Sequence, residues 1–173
     1  LPGTGLKRQQ EIPSGLAVTS DGKRLYVVLN LSNRLLELDL ATGKQVRSFD
    51  VGVAPYDVLI PVLPEGGKAY VSNWGGRRPV EKSLTGPAGQ GTTVRVDPVR
   101  HIASEGSVSV IDLEAGKVLK EVLVGLHACA LAAAPGGRHV VVACAASDSL
   151  SVLDTTSDEV VETISVRWQP EDY

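Results

Sequence analysis

Arginine is the residue type whose placement in this chain first suggests chemistry. Arg77 and Arg78 are adjacent, Arg95, Arg100 and His101 follow, and all five fall in one stretch, 75 to 105, that is rich in Gly and Pro. A guanidinium offers parallel N–H donors in a planar fork that grips a carboxylate or phosphate, so the stretch is a candidate anion-binding loop. Ser14, Tyr56, Trp74 and His127 supply hydroxyl, ring and imidazole groups that could share the site, Trp74 by stacking on a ligand. A plainer reading stays open. The arginines could pair with Glu81, Asp97 and Glu105, leaving the stretch a solvated lid or a surface that packs on a neighbouring domain, and Trp74 could seal its base.

Other chemistries find less support. The three histidines, His101, His127 and His139, show no HxH, HxxxH or paired-Cys spacing, so no metal or other cofactor is expected, although folding could bring His101, His127 and Asp57 closer. Gly75-Gly76 and Gly89-Gln90-Gly91 are not followed by the Lys-Ser or Lys-Thr of a phosphate loop. No Ser sits in Gly-x-Ser-x-Gly, and no catalytic residue is assigned.

Composition bounds what must hold these groups. Of 173 residues 43% are apolar but only 4% aromatic, and Met is absent, so the core must be Val, Leu, Ile and Ala. That bias favours strands, because β-branched side chains fit a pleated surface. Eighteen Gly and ten Pro fit many short strands joined by turns. A net charge of −3 argues against a nucleic-acid surface. No apolar run approaches the roughly 18–20 residues of a spanning helix.

The chain also repeats itself. Gly-Lys-Arg-Leu-Tyr-Val-Val (22–28), Gly-Lys-Ala-Tyr-Val-Ser-Asn (67–73) and Gly-Gly-Arg-His-Val-Val-Val (136–142) are near copies. A second echo, Leu-Leu-Glu-Leu-Asp-Leu (35–40), Val-Ser-Val-Ile-Asp-Leu (108–113) and Leu-Ser-Val-Leu-Asp-Thr (150–155), follows each. Asp112 and Asp154 are 42 residues apart, which sets the period. Asp39 and Asp112 are 73 apart, so the middle copy holds about 31 extra residues, and these are the arginine-bearing stretch. The apolar spacing is two and turns recur every 8–12 residues, which excludes helices. Each copy reads as four short strands, the first small and apolar, the last carrying charge. A repeated unit buries its apolar face against its neighbours, and four antiparallel strands in about 40–45 residues is the arithmetic of a propeller blade.

Gly-Lys-x-x-Tyr-Val, Val-Ser-Val-Ile-Asp-Leu-x-x-Gly-Lys-Val and Val-Gly-x-x-Pro together resemble the YVTN-repeat β-propellers, over essentially the whole chain. The middle copy, with Ser72 to Arg77 before the long stretch and Val124-Gly125-Leu126-His127 after it, is similar to propellers joined to alkaline-phosphatase-like phosphoesterase domains in exported bacterial proteins. The resemblance implies an all-β propeller segment of about three four-stranded antiparallel blades, near 13–52, 53–125 (with the insert 75–105) and 126–166. Lys7 to Ile12 reads as a lone strand before them, and 167–173, with Trp168 filling a blade junction, as the start of another blade. On that scaffold Arg77, Arg78, His101, Trp74, Ser14, Tyr56 and His127 are expected at the mouth of the central funnel.

Three blades do not close a ring of four to eight. The preferred expectation is a longer polypeptide with the remaining blades beyond Tyr173, and a C-terminal enzyme domain as a further partner. The alternative is a second copy completing about six blades. The expected role is a non-catalytic scaffold binding a protein or ligand; the alternatives are the propeller portion of a phosphoesterase-fused enzyme and a propeller lactonase or lyase. The resemblance implies a periplasmic, extracellular or cell-surface location, with no membrane span and no nucleic-acid partner.

Cys129 and Cys144 flank the hairpin at Pro135-Gly136-Gly137. An unbroken register makes them directly opposed across two strands. A bulge at Gly137 would turn them to opposite faces. Contact is the favoured reading, as free thiols rather than a disulfide.

Overall fold

The computed structural model describes residues 11–63, 67–89 and 91–168, and these are all strand, turn and loop. Blade 1 is β1 (Pro13–Val18), β2 (Arg24–Leu29), β3 (Arg34–Asp39) and β4 (Gln45–Asp50), paired in that order. Blade 2 is β5 (Pro55–Leu59), β6 (Lys68–Asn73), β9 (Gly106–Asp112) and β10 (Lys117–Val124), with a small hairpin, β7 (Thr85–Pro87) and β8 (Thr93–Arg95), between its second and third strands. Blade 3 is β11 (Ala128–Ala133), β12 (His139–Cys144), β13 (Ser149–Asp154) and β14 (Glu159–Ser165). All pairs are antiparallel, and the three sheets do not close into a ring. The chain is thus an open β-propeller segment. No helix is long and apolar enough to cross a membrane among the described residues. The extra strand expected before residue 11 and most of the expected blade start after 167 lie outside the described residues.

The repeated Asp has a local cause. Its Oδ1 accepts from the turn that follows: Asp39 from the Thr42 N–H at 2.9 Å, Asp112 from Glu114 and Ala115 at 2.9 and 2.8 Å, and Asp154 from Thr156 and Ser157 at 2.8 and 3.2 Å. An Asp side chain that replaces a backbone acceptor in this way fixes the turn between third and fourth strands. The same turn then needs a residue at positive φ, supplied by Gly43 (66°), Gly116 (67°) and, in the third copy, Asp158 (53°).

Packing between blades makes the core. Tyr26, Val28, Leu35 and Phe49 of blade 1 meet Val58, Ala69, Val71 and Ile111 of blade 2. Tyr70, Val108, Val110 and Val122 on the other face of blade 2 meet Val140, Val142, Cys144 and Leu153 of blade 3. The repeated Tyr therefore lies inside a joint. Burial, seconded by Glu37, pushes the Tyr26 hydroxyl up to about 12, and burial with Asp158 pushes Tyr70 further.

Bulges repeat as faithfully as strands. The first strand of every blade slips register against the second, between Pro13 and Leu16, Pro55 and Asp57, and Ala128 and Leu131. This corrects the cysteine expectation. The register past the hairpin is unbroken from Ala133 to Leu131, so Gly137 holds no bulge, but the later slip sets Ala128, not Cys129, opposite Cys144. Both cysteines are free; Cys129 directs its thiol to the Ala143 carbonyl at 3.3 Å, and Cys144 is buried in the second joint. Trp168, expected at the junction with a following blade, is 81% exposed at the end of this arc, and the rest of that blade start lies outside the described residues.

Candidate functional site

The first site follows from how strands enter the blades. Ala54 and His127 hold matching positions just before β5 and β11, both at positive φ (50° and 55°). The Trp74 N–H donates to the Ala54 carbonyl at 3.0 Å, which pins the residue after β6 beside the start of β5. Its ring then lies between two others: 5.8 Å from Tyr56 at 75° and 5.2 Å from His127 at 66°, both edge to face. Such contacts hold aromatic rings without sealing their faces. Tyr56 and Trp74 remain 41% and 40% exposed. Burial holds the His127 imidazole below its ordinary value. Ser14 is close by, its hydroxyl donating to the carbonyl of Pro55, next to Tyr56, at 3.4 Å. The row Tyr56, Trp74, His127 spans the boundary between blades 2 and 3 and offers ring faces and edges to a flat apolar or cationic surface.

The arginines form a separate group. Arg77 donates to Glu105 through Nε and Nη2 at 2.9 and 2.7 Å, and this pairing holds the Glu105 carboxyl below the ordinary range. Arg78 donates to the carbonyls of Val51 and Asn33 at 2.7 and 2.6 Å and reaches Asp50 at 3.1 Å. Arg95 donates to the Arg78 carbonyl at 3.0 Å, and Arg100 pairs with Asp97 at 3.3 Å. His101 is exposed at φ 56°, its N–H bonded to the Asp97 carbonyl at 2.9 Å. Arg77, Arg78 and Arg95 line a cleft of about 370 Å³ with Asp50, Gly52, Val118 and Glu121. β4 and β10, which border it, are the strands furthest from the inner ones. The structure thus brings Ser14, Tyr56, Trp74 and His127 together at the inner strands, and sets Arg77 and Arg78 on the outer half of the first joint. The pairing of the insert's arginines with Glu105 and Asp97 is the plainer of the two sequence readings. Asp57 is not free to meet a histidine, since its Oδ2 accepts from the Leu131 N–H at 3.0 Å and staples β5 to β11.

One polar cluster gave no clear sign in the sequence. Glu121 on β10 accepts from Ser109, from Ser107 at 2.8 Å and from Asn73 Nδ2 at 3.3 Å, while the Ser109 hydroxyl also accepts from the Gly52 N–H at 3.2 Å. Burial pushes the Glu121 carboxyl up, against the pull of those hydroxyls and of Arg78 and Arg77. Asn73 Oδ1 is buried with no partner. The traceable signals are the alternate Ser107 and Ser109 and the Asn that ends the second motif, which share one sheet face. Among the described residues, no three His, Cys, Asp or Glu side chains are grouped to hold a metal ion.

No protein-family model matches the chain, and no curated protein does. Solved structures do. Hydrazine synthase from Kuenenia stuttgartiensis matches with a TM-score of 0.68 at 23% identity, over 98% of this chain and 40% of that one. The dihydro-heme d1 dehydrogenase NirN, in complex with DHE, matches at 0.63 and 15% identity, over 93% and 29%. A protein from Bacteroides fragilis assigned as a 6-phosphogluconolactonase matches at 0.59 and 17%, over 91% and 39%. This chain therefore spans well under half the length of each. At these identities the likeness establishes the β-propeller fold, reached here from the repeat and its blade joints.

Proposed function

We propose that this chain is a binding scaffold within a larger propeller, and that the aromatic row Tyr56, Trp74 and His127 is where it meets its ligand. The observation that carries this reading is the exposure of two large rings fixed edge to face on a rigid inner-strand frame. Side chains held by the scaffold bind without a further ordering cost, and rings present area at low entropy. A flat-faced group, such as a sugar ring, a planar heteroaromatic or a peptide side chain of that shape, is the chemistry it suits. NirN, of the same fold, was determined in complex with DHE, which supports the use of such a frame to hold a ligand.

The test uses Trp emission. In a Trp168→Phe background Trp74 is the only indole in the chain. Titration with oligosaccharides and planar heteroaromatics is expected to change its emission saturably, and Tyr56→Ala to weaken the midpoint about tenfold. A flat response across both ligand classes would remove the reading. An enzymatic use of the same face, suggested by the fold match to the protein assigned as a 6-phosphogluconolactonase, is checked by lactone hydrolysis. The parent protein is proposed to be exported, at the periplasm or cell surface, with the propeller joined to a phosphoesterase domain, on the strength of the YVTN-like repeat.

A further inference from the structure

A repeated scaffold shows which side chains each blade needs, so a departure in one blade marks a residue kept for another reason. Leu36, Ser109 and Ser151 hold matching third-strand positions, opposite Val27, Val71 and Val142. Their fourth-strand partners are Ser48 in blade 1, Glu121 in blade 2 and Thr163 in blade 3. Two blades manage with a small hydroxyl. Blade 2 alone puts a carboxyl there, inside its joint with blade 1, where Ser107 donates to it at 2.8 Å and burial pushes it up from the ordinary 4.5.

Blade 2 is also the blade with the insert, and the neck of the insert brings arginines to that carboxyl. A Cβ on Gly76 would lie 2.6 Å from the Glu105 Cβ, so the two ends of the insert close on each other. A Cβ on Gly75 would lie 2.9 Å from both Val53 and Val94, which seats β8 against the start of the insert. Arg77 and Arg78, next along, and Arg95 at the end of β8 thereby line the cleft of about 370 Å³ together with Glu121, Asp50 and Gly52.

The first two arginines are each held by one edge. Arg77 uses Nε and Nη2 on Glu105, and Arg78 uses Nε and Nη2 on the carbonyls of Val51 and Asn33 and on Asp50. Among the described residues, Nη1 of both has no hydrogen-bond acceptor, and no ion pair joins either to Glu121, although both pull on its charge. Three guanidiniums share the two carboxylates Glu105 and Asp50, so one positive charge is uncompensated while Glu121 keeps its proton.

We propose that this cleft is a binding site for a small oxyanion, a carboxylate or phosphate group taken by the free Nη1 donors of Arg77 and Arg78 across from Glu121. Charge-assisted bonds from two fixed guanidiniums suit such a group. An ionised Glu121 repels it, so binding draws a proton onto Glu121, and affinity falls as pH rises through the interval above 4.5. The other groups that face Glu121 are Ser107 and Ser109 of β9 and Asn73 of β6, which do not ionise, the guanidiniums, which stay charged, and the carboxylates Glu105 and Asp50, which pair with them. The cleft stands apart from the aromatic row, so its test holds whether or not that row takes a ligand.

The probe is sulfate, whose charge is fixed between pH 5 and pH 8. Calorimetric titration of the 173-residue chain at constant ionic strength in chloride is expected to saturate at pH 5 and to weaken about tenfold or more by pH 8. Acetate is expected to compete with sulfate at pH 6. Glu121→Gln, which keeps the shape of the side chain without its charge, is expected to bind sulfate equally at both pH values. Arg78→Gln is expected to weaken binding about tenfold at pH 5, Arg77→Gln repeats the removal on the second donor, and circular dichroism reports whether each variant is folded. Lys44→Gln, at an exposed turn of blade 1, is expected to leave binding unchanged. Sulfate that fails to saturate at pH 5, binding by Glu121→Gln that still falls with pH, or binding indifferent to both arginine substitutions would each overturn the proposal.

Discussion

Single residues in this chain serve two roles where the repeat would require one. Asp158 occupies the positive-φ turn position that Gly43 and Gly116 hold elsewhere, and its carboxylate receives the Tyr70 hydroxyl and the Lys68 ammonium, both at 2.7 Å, from the preceding blade. Glu121 is the more telling case, since burial raises its carboxyl above the ordinary 4.5. A carboxyl that binds its proton more tightly when folded costs stability as pH rises through the interval above its unfolded value. Asp154, held at about 2 first by the Thr156 N–H, acts in the opposite sense, contributing above its unfolded 3.8 and losing that contribution as pH falls toward 2. Glu121→Gln, whose side chain cannot ionise, is therefore expected to change stability little near pH 4, where the buried carboxyl holds its proton, and to raise it relative to wild type at pH 7, where the wild-type chain carries the cost of burying the charge. Urea unfolding at the two pH values checks this; equal shifts at both would show the carboxyl to be unperturbed.

At the scale of elements, the joint between blades is the unit that the sequence repeats. Gly22 and Gly52 make the contrast. Gly22, at φ 68°, has nothing within 4 Å of an added Cβ, so alanine there meets only backbone strain. Gly52 has no positive φ but no space either. Gly52→Ala is expected to cost about 1–3 kcal/mol by forcing β4 and β6 apart, the range for overpacking a tight site, and to weaken protection of the Gly52 amide in hydrogen exchange. Gly22→Ala is expected to cost about 1–2 kcal/mol, the ordinary charge for a left-handed residue with a side chain, without any loss of joint protection. The strands, their order and the turn Asp were legible in the sequence, because period-two alternation and Asx turns are local. The bulges were not. Each depends on how an inner strand curves against its neighbour, and that is why Cys129 and Cys144 looked opposed but are not.

For the whole molecule, the number of blades bears on every physical property. Blade 2 shares both joints, its two faces packing on blade 1 and blade 3, so the arc is expected to unfold as one unit. Urea unfolding followed by circular dichroism and by Trp emission is expected to give one coincident transition, moved to lower urea by Gly52→Ala; two separate transitions would show that the joints unfold independently.

The sequence by itself determined the four strands of each blade, the period near 42 and the 31-residue departure from it, because these follow from alternation and turn chemistry a few residues in range, whereas the hairpin β7–β8 inside the insert left no such signal. It also named the groups able to bind. Only the tertiary structure decided which of them meet. Trp74, Tyr56 and His127 come from two blades and converge because inner strands lie side by side, whereas Arg77 and Arg78 found acceptors in Glu105, Asp50 and the carbonyls of Asn33 and Val51. A guanidinium near a carboxylate or an open carbonyl pairs with it rather than stay bare, and which acceptor is near is set by the packing of whole sheets.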